Sequence, residues 1–133
     1  MANNITTDSV RAFAESRKFK RGNMQVTVAD GFVTLQQHGN TIGLYAKDNG
    51  VESAWISCSG WYSVTTKQRL NELLRVGTWG RWSLQTVKGE WTLVPRDHGQ
   101  SLTFKGSVYM DDLRKLDSQI ADDKAERHAR LDA

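Results

Sequence analysis

The chain has 133 residues, 38% of them hydrophobic, enough for one modest core and too few for a second. Lys and Arg number 18 against 15 Asp and Glu, and the net charge of +3 is too small by itself to announce a nucleic-acid binder. A single cysteine, Cys58, excludes an internal disulfide, and no apolar run has the pattern of a signal peptide or the length of a membrane span.

In chain order, Asp8 or Ser9 is expected to cap a first helix. Val10, Phe13 and Ala14 recur at helical spacing, the basic cluster Arg17, Lys18, Lys20, Arg21 follows, and Gly22 ends the element. Asn4-Ile5-Thr6 matches a glycosylation acceptor in form only, since no secretory route is indicated. From Met24 the period changes to two. MQVTVADGFVTLQ alternates apolar and polar residues around Asp30-Gly31, and both positions of such a tight hairpin turn need positive φ. The pattern repeats with a turn at His38-Gly39-Asn40 and another at Lys47-Asp48-Asn49-Gly50 before a strand in VESAWIS, which makes a meander of about four strands over residues 24–58.

At Thr65 the period becomes helical again, with Leu70, Leu73 and Leu74 as one apolar stripe and Val76-Gly77 at the end. RWSLQTVKGEWTLVP predicts two strands around Lys88-Gly89, stopped by Pro95, and SLTF a last short strand. From about Met110 a helix carries Leu113, Leu116 and Ile120 on one side; beyond Ala121 it has almost no apolar face, so that end is solvent-exposed or completed by a partner, which leaves room for a homo-oligomer contact. The expected fold is α+β: an antiparallel β-meander with one packed short helix, a second β-hairpin, and N- and C-terminal helices. It divides into a basic helical segment (1–23), a single α+β domain (24–109) and a charged C-terminal helix (110–133).

The charge is clustered. Residues 1–25 hold five Lys/Arg and two acids, and residues 67–88 hold five and one, whereas residues 26–66 and 106–133 are both net acidic. Two basic blocks make a basic face feasible without showing that they meet.

The segment from Gly39 to Val94 resembles a family of small tailed-bacteriophage proteins of unknown function. The resemblance rests on HGNTIGLYAKDNG, on SCSGWYSVTTKQRLNELL, and on VKGEWTLV followed by SLTFKGSVYM; the matching positions are Gly60, Trp61, Thr65, Thr66, Lys67, Arg69, Leu70, Asn71, Gly89 and Trp91. The N-terminal helix, the Trp79-Gly80-Arg81-Trp82 segment and the C-terminal helix fall outside the pattern. The resemblance implies phage origin and an α+β fold and brings no reaction or catalytic residue; with the reducing compartment that a lone cysteine suits, the expected location is the host-cell cytoplasm.

Two explanations compete for the stretch TTKQ. Thr65 with Gln68 fits a capping box, which needs no ligand. Lys67 does not fit that account, because a cation in the first turn opposes the helix dipole by about 0.3–1 kcal/mol. The alternative is an anion site, in which the Thr65 and Thr66 hydroxyls, Lys67 and the free helix amides converge on a phosphate. Of the five tryptophans, Trp55 and Trp91 lie inside strands and are expected in the core. Trp61, Tyr62 and Trp79 lie in loops near Lys67, Arg69, Arg75 and Arg81, and are the candidates for a contact surface.

Catalysis finds little support. Cys58 is expected to be a small buried residue in no nucleophile motif, His38, His98 and His128 are too widely spaced for a metal site, and no glycine-rich phosphate loop is present. No cofactor or metal is implied. The expectation is a binding protein whose surface comprises Trp61, Tyr62, Thr65, Thr66, Lys67, Arg69, Arg75, Trp79 and Arg81. Its partner is nucleic acid or, alternatively, a host replication, transcription or defence protein that it inhibits.

Overall fold

The computed structural model describes residues 4–97 and 100–117. Two antiparallel sheets share one core with the helices between and beside them. The first sheet has six strands in the order β1 (Phe19–Arg21), β2 (Met24–Ala29), β3 (Phe32–Gln37), β4 (Asn40–Ala46), β5 (Trp55–Ser57), β9 (Ser107–Tyr109). The second has three: β6 (Trp82–Val87), β7 (Glu90–Pro95) and β8 (Leu102–Thr103). Helix α1 (Ile5–Ala14) packs on β1 to β3, and α2 (Val64–Gly77) packs on α1, β5 and β6. Residues 110–117 form the described part of a third helix, α3. The α+β class, the meander and the second hairpin are thus as the periodicity indicates.

The meander forms because alternation and turn chemistry agree. Val26, Val33, Leu35 and Tyr45 all point to the helix side and are buried, while Thr27 and Thr34 alternate to the other. The dipeptides Asp30-Gly31, His38-Gly39 and Lys88-Gly89 close hairpins with positive φ at both residues. Gly43 has a different reason: a Cβ there would stand 3.0 Å from Cζ of Phe13, so the bare backbone lets the α1 phenyl ring lie against β4. Phe13 also meets Tyr45 edge-on at 4.8 Å. In α2 the stripe Leu70, Leu73, Leu74 is fully buried, as expected.

Several boundaries differ from expectation. The first helix is capped by Asn4, whose Oδ1 accepts from the amides of Thr6 and Thr7 at 3.0 and 3.2 Å, and not by Asp8 or Ser9. It ends at Ala14, because Ser16 turns the chain into the left-handed region, so the basic cluster lies outside the helix and Phe19–Arg21 add a strand. Val10, Ala12 and Phe13 of this helix are core residues. Val51–Ser53 is a 3-10 turn, which leaves only Trp55–Ser57 of the expected strand. Met110 and Leu113 of α3 are buried, and Asp117 Oδ2 accepts from the indole of the buried Trp82 at 3.2 Å. Ile120, the polar stretch beyond it, and His98 and His128 lie outside the described residues.

Candidate functional site

Ser63 caps α2, with its Oγ accepting from the Thr66 amide at 3.1 Å. Thr65 is exposed and caps nothing, so the expected Thr65/Gln68 box is replaced by a simple Ser63 cap two residues earlier. That shift brings Thr66 to the third helical position and turns it inward. Thr66 Oγ1 lies 2.9 Å from Ser63 Oγ and accepts from Gln37 Nε2 at 2.9 Å; Gln37 Oε1 in turn accepts from Arg69 Nη1 at 2.8 Å. Thr66 and Arg69 are both buried, and burial lowers the Arg69 pKa from its ordinary value. These two residues therefore tie the helix to the end of β3 and contribute nothing to an outward surface.

Lys67 turns the other way. Its Nζ donates to Thr86 Oγ1 on β6 at 2.9 Å, so it bridges the first turn of α2 to the second sheet instead of folding back over the helix amides. The anion site expected at TTKQ is not assembled, because its four groups diverge.

An aromatic groove lies beside it. Trp61 and Tyr62 precede the cap and are 57% and 58% exposed. The Tyr62 ring meets Trp91 edge-on at 4.9 Å, and Trp91 lies 6.1 Å from Phe104. Tyr62, Glu90, Trp91, Thr103, Phe104 and Lys105 line a groove of about 490 Å³. Thr86, which holds Lys67, is the strand partner of Trp91, and Lys88 stands at the tip of the same hairpin. Among the described residues no ion pair engages Lys67, Lys88 or Lys105. The Cys58 side chain pushes the Tyr62 phenol pKa above its ordinary value.

Trp79 sits at the other end of α2, about 21 Å away along a 14-residue helix. It is 66% exposed at φ +53°, with the Arg114 guanidinium 5.7 Å from its ring centroid. The cations there are compensated: Arg75 pairs with Glu72, Arg81 with Asp97 at 3.8 Å, and Arg114 with Asp111. Of the nine residues singled out in the sequence, Trp61, Tyr62 and Lys67 flank the groove and Thr65 is exposed on the same turn. Arg75, Trp79 and Arg81 form a second, separate cluster, and Thr66 and Arg69 are internal.

Trp91, Phe104 and Lys105 were absent from that set. Alternation put Trp91 on the core side of β7 with Leu93, which is correct, but the core ends before it and leaves one face of the indole open. Residues 104 and 105 carried no local signal, since only the register of β8 on β7 brings them to Trp91.

A family profile described as Kyanoviridae Gp96 protein matches residues 2–111. The chain belongs to that family. Kyanoviridae Gp96 proteins come from tailed phages, so the phage origin implied by the resemblance holds. The match takes in α1 and the Trp79–Trp82 segment along with both sheets and the groove. No curated protein and no solved structure shows a significant match to the chain. Among the described residues no helix is long and apolar enough to cross a membrane.

Proposed function

We propose that this phage protein acts in the host cytoplasm by binding, without catalysis, and that the groove at the start of α2 takes nucleic acid. What carries the proposal is the juxtaposition of Tyr62 and Trp91, backed by the buried Phe104, with three lysines that lack acidic partners among the described residues. Open aromatic faces stack on bases without regard to sequence, and unpaired ammonium groups supply the contacts to phosphate. Cys58 is fully buried and His38 is bonded to Asn23 at 2.9 Å, an arrangement that favours binding over nucleophilic chemistry.

Mobility shift of labelled oligonucleotides across a salt series tests this. The parent is expected to bind at low salt and to weaken steeply as salt rises. Lys67→Glu and Lys105→Glu should each flatten the salt dependence by about one phosphate contact, and Tyr62→Ala should weaken binding at every salt concentration. No shift at low salt with either DNA or RNA overturns the proposal.

A protein-directed inhibitor is the second reading, favoured by one observation: Trp79 is a large, exposed anchor whose flanking charges are already neutralised. On that reading Trp79→Ala, and not Tyr62→Ala, relieves the effect of the protein on growth of the host.

A further inference from the structure

The groove leaves the exposed Tyr109 and its partly exposed strand partner Trp55 without a role. Both helices lie on one face of the six-stranded sheet, and along the other face strand partners fall into a row across five strands: Thr27 faces Thr34, Thr34 faces Leu44, Leu44 faces Trp55, and Trp55 faces Tyr109. With strands about 4.8 Å apart, Leu44, Trp55 and Tyr109 form an apolar strip about 10 Å long. Tyr109 is 56% exposed, Leu44 and Trp55 are partly exposed, and no acidic residue occupies a strand position on this face, which carries Lys20. Solvation of an open sheet face asks for Thr and Gln; it gives no reason for a Trp-Tyr pair side by side.

The chain itself links the strip to the groove. Lys105 lines the groove, and Gly106, beside the Tyr62 hydroxyl, passes the chain directly into β9 and Tyr109. The Gly106 carbonyl accepts from the Cys58 amide at 2.9 Å, which ties this junction to the loop that presents Trp61.

We infer that the partner is single-stranded nucleic acid, and that it runs from the groove onto this open sheet face, where unstacked bases lie on Trp55 and Tyr109. The inference rests on the nucleic-acid reading of the groove and names its substrate class. A sheet face whose strand positions carry Lys20 and no acid suits a polyanion, and flat aromatic platforms on a sheet suit bases freed from a duplex, whose π faces a double helix keeps stacked.

The test compares oligonucleotides of about 4 and about 12 residues, as DNA and as RNA, with a 12-residue duplex. The short strand fills the groove; the long one reaches the sheet. Tyr109→Ala and Trp55→Ala should each weaken binding of the long strand roughly tenfold, leave the short strand unaffected, and Tyr109→Phe, which keeps the ring, should bind as the parent does. Because Trp55 is partly covered and its loss can disturb the sheet, the exposed Tyr109 pair decides the matter. If Tyr109→Ala binds the long strand like the parent while Tyr62→Ala does not, the groove reading stands and the sheet path is wrong. Equal or tighter binding of the duplex overturns the single-strand assignment. A dimer that Tyr109→Ala dissolves, with strand binding unchanged, shows that a second copy covers the face. If no oligonucleotide binds, both readings fall together.

Discussion

Arg69 is a buried guanidinium whose charge is met by an amide oxygen and by no carboxylate among its bonded partners. Its Nε has no hydrogen-bond partner, so its place in the core depends on Gln37. Gln37→Leu alone should cost about 1.5–3 kcal/mol, because it strips from a desolvated cation the one acceptor bonded to it among the described residues. The double change Gln37→Leu with Arg69→Met removes the cation as well and should recover most of that loss in urea unfolding; a double variant no better than the single one refutes this account. Tyr45 supplies a second residue-scale test. It is buried, its hydroxyl donates to the Phe13 carbonyl, and desolvation raises its pKa, partly offset by its bond to Ser16. Because the folded-state pKa lies above the unfolded value of about 10, the unfolded chain loses this proton first. Stability linked to Tyr45 is therefore whole below about pH 10 and is lost as pH rises through the folded value. Tyr45→Phe should be less stable than the parent near neutrality by about 0.5–1.5 kcal/mol, and the gap should close above about pH 10. A gap that stays constant to alkaline pH contradicts the assignment.

For the elements, the lesson lies in where they begin. The stripe of three leucines fixed the existence and inward face of α2, and two hairpin turns fixed β2 to β4 of the meander, because each signal is local and repeated, whereas the turn expected at residues 47–50 is a pair of 3-10 turns. The cap was not legible in the same way: Ser63, Thr65 and Thr66 are all competent, and only the pairing of Thr66 with Gln37, 29 residues away, selects Ser63. The same limit hid β1 and β9, three-residue strands whose sequences have no room for periodicity and whose pairing partners are already formed strands. The consequence is measurable. Ser63→Ala should lower stability by about 1 kcal/mol through loss of the cap, whereas Thr65→Ala, exposed and unbonded, should change it by less than about 0.5 kcal/mol. Equal losses in thermal unfolding would return the cap to Thr65.

At the scale of the whole molecule, α2 is the joint between two sheets that share no strand. On one side it meets α1 and β5; on the other, Asn71 acts on β6 as a neighbouring strand would, donating from Nδ2 to the Leu84 carbonyl at 2.9 Å and accepting from the Leu84 amide at Oδ1 at 2.6 Å. These bonds satisfy an edge position that is otherwise open to pairing. In the sequence Asn71 stands only as part of a motif, since an asparagine facing a strand edge has no local signature. The groove depends on the joint, because Tyr62 comes from the start of α2 while Trp91 and Phe104 belong to the second sheet and the strand end beside it. Asn71→Leu keeps the size and removes both bonds, leaving the Leu84 amide and carbonyl without their partner at a cost of about 1–3 kcal/mol. The loss should be local: hydrogen exchange is expected to accelerate over residues 82–95 while residues 24–46, held by β2, β3 and β4 on α1, keep parental protection. Oligonucleotide affinity should fall along with it, since the Trp91 wall is no longer held against Tyr62. If exchange instead rises uniformly through both sheets, the molecule unfolds as one cooperative unit, and α2 is not the hinge on which the second sheet is hung.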